Sequence, residues 1–190
     1  MEAGASSGVW WRYEFDVDVR SRVREKVNRR DDLCINVLEL LGMVVGAWVF
    51  LIQAQTRPTY ARDSIRLRGD NSSAVAWVNK CRGGKEPRSG ALMQVLGCLE
   101  MGSDWHFDST HIAGAKNTIA DGISRWAYDS IDERLRDAHP NVVWHEQVLE
   151  PGAVELCTEV LAVSSSVGLL HRRLRELTHR VGGLGARFEG

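Results

Sequence analysis

Between Ile35 and Ala54 a single residue, Glu39, carries a charge, and this stretch limits the possible folds more than any other part of the chain. A helix apolar on every side has to be covered on several of them, so it calls for a sheet and further helices around it. Its uncharged part, Leu40 to Ile52, falls short of the roughly 20 residues that cross a bilayer, and no membrane association is expected. The rest of the chain can supply the cover. A 190-residue sequence that is 44% apolar sustains one core of ordinary size. With 24 basic against 25 acidic side chains, the net charge of −1 excludes a polycation and a disordered acidic chain.

Strands are expected on either side of that helix. Trp11, Tyr13, Phe15, Val17 and Val19 alternate with Arg12, Glu14, Asp16, Asp18 and Arg20, the period of a strand with one buried face. Arg20 to Arg30, six basic residues and one glutamate, reads as a charged connector, either solvated or facing phosphate. After Pro58 comes a strand Ile65 to Gly69, a helix Ser72 to Lys80 stopped by Gly83-Gly84, a helix over 86–101, a strand Trp105 to Ile112, a tight loop Gly114 to Asn117 and a helix from Thr118 to Trp126. This order predicts an α/β domain with partly parallel pairing after an opening antiparallel section.

Beyond Trp126 the composition shifts. Residues 1–126 hold 17 basic and 15 acidic groups and six of the seven tryptophans, whereas 127–190 hold 7 and 10. A domain boundary is expected near 126, followed by a small helical extension: a helix opened by a Ser130–Glu133 capping box and ended before Pro140, a second over Val154 to Val163, and a third over Leu169 to Val181. Cys34, Cys81, Cys98 and Cys157 form no CxxC pair, which rules out a disulfide scaffold and gives no indication of a zinc site. They read as reduced, buried thiols, in keeping with cytoplasm or nucleus.

Three acids sit where a bare carboxylate is costly. Glu39 interrupts the apolar helix, where it either completes a capping box with Asn36 or faces an ion, with Gly42 and Gly46 leaving room for close approach. Asp70 lies between a strand and a helix, a position equally suited to capping and to chemistry, and Asp121 lies near a helix start, where a solvated cap is the default reading.

In order along the chain stand Val37-Leu38-Glu39-Leu40-Leu41, then Arg68-Gly69-Asp70-Asn71-Ser72, then His111-Ile112-Ala113-Gly114-Ala115-Lys116-Asn117-Thr118-Ile119-Ala120-Asp121-Gly122-Ile123-Ser124-Arg125. The series resembles the ribonuclease H domain of retrotransposon reverse transcriptase polyproteins, with its "ELLA"-like helix, its "DN" at a strand end and its "hxxGxxNxxADxLSR"-like close. The last block is the most specific and departs only in Ile123 for leucine. The resemblance covers about residues 1–126.

The resemblance implies a ribonuclease H-like mixed sheet of five strands flanked by helices. Acids from separate elements would hold two Mg2+ or Mn2+ ions, and the partner would be an RNA/DNA hybrid whose RNA strand is hydrolysed. It also implies an original linkage to reverse transcriptase and to integrase or recombinase modules. Glu39, Asp70 and Asp121 match three of the family's four metal-binding, catalytic acids. The fourth, an aspartate before a small Gly-containing turn, has no match. Ala3 to Val9 resembles the turn, but Glu2 is the only acid near it, and Asp16 and Asp18 belong to the strand that follows. The expectation is therefore a domain lacking its first strand, with weakened metal binding and little or no endonuclease activity. An uncovered strand edge would come with that loss. The alternative is a non-catalytic nucleic-acid- or protein-binding module retained by a host. For nucleic acid, the expected contacts are Asn71 to 2′-hydroxyls and Arg82, Lys85, Arg88 and Lys116 to phosphates, joined by the connector Arg20 to Arg30. His106 and His111 read as strand residues.

Overall fold

The computed structural model describes residues 6–24, 32–55, 64–103, 105–125 and 131–162. It has α/β character with small parallel sheets. The apolar run forms one helix, α2 (Ile35–Gln55), and Val37, Leu40, Val44, Val45 and Ala47 are wholly or almost wholly removed from solvent. At 21 residues, α2 is long and apolar enough by composition to cross a membrane, so length alone does not decide its role. More than half of that span is buried against the rest of the chain, which marks it as the helix around which the core is built.

On one side of α2 lies a parallel pair, β4 (Ser64–Gly69) and β5 (His106–His111), in register from Ser64 opposite His106 to Gly69 opposite His111. Parallel neighbours need a long crossover, here α3 (Ser72–Asn79) and α4 (Pro87–Ser103). Ala74, Val75 and Val78 of α3 and Leu92, Val95, Leu96 and Leu99 of α4 are buried in the same cluster as α2. Two side chains lock the crossover to β5. Asn79 Nδ2 donates to Ser109 O (2.9 Å) while Ser109 N donates to Asn79 Oδ1 (2.8 Å). At the other end Glu100 Oε1 accepts from Phe107 N at 2.8 Å.

The opening segment departs from expectation. Residues 11–16 are irregular and Val17–Arg22 is a short helix, α1. The alternating pattern loses to local polar groups: Asp16 caps the helix by accepting from Val19 N (2.7 Å), and Asp18 pairs with Arg22 one turn on (3.2 Å). The strand lies earlier, at β1 (Ser6–Trp10), and pairs in parallel with β6 (Val142–Glu146). Gly8 is required there, because a Cβ would stand 2.7 Å from the Trp144 ring. A third short pair joins β2 (Val23–Arg24) to β3 (Leu33–Cys34), again parallel. No antiparallel pair occurs among the described residues, contrary to the expected opening section.

The chain on both sides of residue 126 contributes to one ladder and one core. β1 pairs with β6, and α7 (Pro151–Leu161) buries Ala153, Leu156, Cys157, Val160 and Leu161 in the cluster of α2. α6 (Ile131–Ala138) is tied in by Trp10 Nε1, which donates to Asp132 Oδ1 at 3.2 Å. The helix expected over Leu169 to Val181 lies outside the described residues, as does Ser130.

Two smaller expectations are corrected. Helix α3 ends without using Gly83-Gly84: Cys81 takes the left-handed conformation (φ 50°), while Gly83 and Gly84 leave room for Ser89-Gly90 and the Trp77 ring. The four thiols are not all buried. Cys81 is exposed, Cys34 and Cys98 are half-buried, and only Cys157 is fully enclosed, where burial pushes its thiol up to about 12.

Candidate functional site

At the C-terminal end of β4 the chain passes from Gly69 through Asp70 into α3, and two neighbouring residues divide the work. Asn71, not Asp70, caps the helix: its Oδ1 accepts from Ser73 N (3.1 Å) and Ala74 N (3.0 Å). Its Nδ2 donates to Asn36 Oδ1 (2.8 Å), joining the strand end to the first turn of α2. The Asp70 carboxylate is thereby released from capping. Asn36 is likewise inside α2 and committed to Asn71, so the expected Asn36–Glu39 capping box does not form.

The helix lies against the strand at Gly69, where a Cβ would displace the flexible end of the Met43 side chain. Met43 is four residues from Glu39, on the same helical face, so this contact sets Glu39 one turn further along beside the strand end. Gly42 and Gly46, expected to permit close approach, do not serve it: space lies open around both.

The third acid arrives through the segment after β5. Ile112 N donates to Gly69 O (3.0 Å), continuing the parallel ladder past the strand. His111 Nε2 lies 3.0 Å from Asp70 O, and the tautomer protonated at that nitrogen donates to it. The chain then turns through a 3-10 turn, Gly114–Lys116, where a Cβ on Gly114 would stand 3.6 Å from Asp70 Oδ2. It enters α5 (Thr118–Ser124), with Asp121 in the first turn.

Glu39, Asp70 and Asp121 thus come from three elements, and the latter two both act on Glu39. The Glu39 carboxyl is half-buried and titrates above its ordinary value, chiefly because burial disfavours the charged form and further because Asp70 and Asp121 repel it. Among the described residues neither Glu39 nor Asp70 has a cationic side-chain partner. Asp121 does, since its Oδ1 lies 2.8 Å from Arg125 Nε. Among the described residues no group of three or more His, Cys, Asp or Glu side chains is placed to hold a metal ion.

The expected nucleic-acid contacts are scattered. Lys116 is exposed in the turn beside Asp70. Arg82 and Lys85 are exposed but follow the far end of α3, about 12 Å of helix from Asp70. Arg88 is buried, with Nη1 3.0 Å from Glu86 Oε1, and Asn71 already uses its amide in the cap and the Asn36 tie. In the basic connector, Arg20 is held by Glu14 and Phe15 O, Arg22 Nη2 donates to Leu161 O (2.7 Å), and residues 25–31 lie outside the described residues. His111, whose ring meets the Asp70 backbone, joins the site by position. The "HxxG" opening of the block before Asp121 was the sequence signal for it.

No family model, no curated protein and no solved structure matches this chain.

Proposed function

We propose that this chain carries a ribonuclease H-like centre of retrotransposon ancestry, in which Glu39, Asp70 and Asp121 bind Mg2+ or Mn2+ facing an RNA/DNA hybrid, with catalysis impaired. The observation that supports this reading is that Asp70 and Asp121, 31 and 82 residues further along the chain, both repel the half-buried Glu39 carboxyl. The order of elements from α2 to α5 supports it too, because each acid of the resemblance falls on the expected kind of element.

The donor set suits such an ion. Carboxylates are the hard oxygen ligands Mg2+ prefers, and Glu39 and Asp70 leave negative charge that no described side chain neutralises. A pair of bound ions would supply an activated water and stabilise the departing 3′ oxygen. The chain's own residues do the remainder. Asn71 and Asn36 fix the strand end against α2, His111 holds the Asp70 peptide, and Arg125 competes for Asp121. Lys116 stands where it could meet a backbone phosphate. Ions held by Glu39, Asp70 and Asp121 would meet competition from Arg125 for one of the three carboxylates, which argues for weak loading.

The engagement of Asp121 by Arg125 favours a second reading, a non-catalytic binding module on the same framework.

The test has two arms on the full chain. Thermal unfolding with increasing Mg2+ or Mn2+ is expected to show stabilisation that Asp70→Asn removes, and an identical ion response in both proteins refutes the metal site. A labelled RNA/DNA hybrid is expected to stay essentially uncut. Cleavage abolished by Asp70→Asn would refute the impairment while upholding the nuclease centre.

A further inference from the structure

The edge of β4 away from β5, which no described strand covers, offers an interaction surface that does not depend on the carboxylate site. Among the described residues β4 pairs only with β5. Because Gly69 O accepts from Ile112 N, the backbone groups of Gly69, Leu67 and Ile65 point toward β5, and those of Ser64, Arg66 and Arg68 point away from it. The side chains of these last three are exposed, while Ile65 and Leu67 pack on the core. The edge is therefore basic on one face of the sheet and apolar on the other. Arg66 has one carboxylate, Asp108, whose Oδ1 lies 2.8 Å from Arg66 Nε. Arg68 has no acidic partner among the described residues.

We propose that this edge takes up an extended segment of another protein whose residues alternate between acidic and apolar, adding a strand beside β4 (β-augmentation). The acids would face Arg66 and Arg68, and the apolar residues would continue the layer of Ile65 and Leu67. A second copy of β4 is disfavoured as occupant by charge, since it would set arginines against arginines. The chain's own acidic, alternating stretch, Tyr13 to Val19, has the fitting pattern but is already committed: Tyr13 and Phe15 pack on the core, Asp16 caps α1 and Glu14 holds Arg20. It nevertheless provides the right probe.

An acetylated, amidated heptapeptide of the sequence Tyr-Glu-Phe-Asp-Val-Asp-Val, fluorescently labelled, is titrated with the full chain. Saturable binding is expected, weakened about tenfold or more, roughly 1.4 kcal/mol, when its three acids are replaced by lysine. Arg66→Ala and Arg66→Pro both remove the side chain and its Asp108 pair, but only proline removes an outward N–H without touching the β5 ladder. Binding is expected to fall further in the proline variant, with circular dichroism confirming that both variants fold. Equal affinity for acidic and lysine peptides, or equal binding by the alanine and proline variants, overturns the proposal. So does self-association of the chain that Arg66→Pro abolishes, which would make a second copy the occupant.

Discussion

Asn71 Nδ2 donates to Asn36 Oδ1 at 2.8 Å, and this bond between a strand end and the first turn of a helix holds Asp70 and Glu39 on the same side of the molecule. The same Asn71 caps α3 through its oxygen, so one side chain both starts a helix and frees its neighbour's carboxylate.

The two roles of Asn71 are separable. Asn71→Asp keeps an oxygen for the cap but cannot donate to Asn36, and is expected to cost about 1 kcal/mol. Asn71→Ala loses both and is expected to cost about 2 kcal/mol. Urea unfolding of the two variants checks this, and equal losses would mean the Asn36 tie contributes nothing.

Glu39 makes stability fall with rising pH. Its folded titration point lies above the ordinary glutamate value of 4.5, because burial and two neighbouring acids disfavour its charge. The protonated form's contribution is therefore complete below 4.5 and lost as pH climbs through the folded value. Glu39→Gln is expected to abolish that portion of the slope, leaving it more stable than wild type at neutral pH without divalent ions. Adding Mg2+ is expected to narrow the gap by stabilising wild type alone. Melting curves at several pH values, with and without the ion, decide it.

Arg125 is expected to act as a competitor for Asp121. The pair is substantially exposed (73% and 45%), so Arg125→Ala should alter stability by less than about 0.5 kcal/mol. Removing the positive charge should nonetheless tighten Mn2+ binding about two- to threefold. Isothermal titration of the two proteins reads this out, and weaker binding by the variant would remove Arg125 from the site.

Leu156 tests whether α7 belongs to the same core as α2. It is fully buried there, and Gly152 on the same helix lies against the Trp48 ring. Leu156→Ala is expected to destabilise the whole chain by about 2–5 kcal/mol in a single transition. A separate early transition, with the α2 core intact, would show that α7 folds on its own.

What the sequence by itself determined is local: the apolar run that becomes α2, the strands β4 and β5, and the helices between and after them, each signalled by periodicity and by Gly, Pro or Asn punctuation over a few residues. Glu39, Asp70 and Asp121 were singled out by their order along the chain, since each taken alone reads equally as a helix cap. Tertiary structure decided the rest. The alternation of Trp11 to Arg20 had no strand beside it, so Asp16 and Asp18 turned it into a capped helical turn, while Ser6–Trp10 found β6 more than 130 residues away. The bond from Asn71 to Asn36 joins two elements 35 residues apart, and the shift at Glu39 comes from its burial and from acids in two other elements. Contacts between residues distant in sequence depend on shape and on partners, and neither is written in the spacing of a single segment.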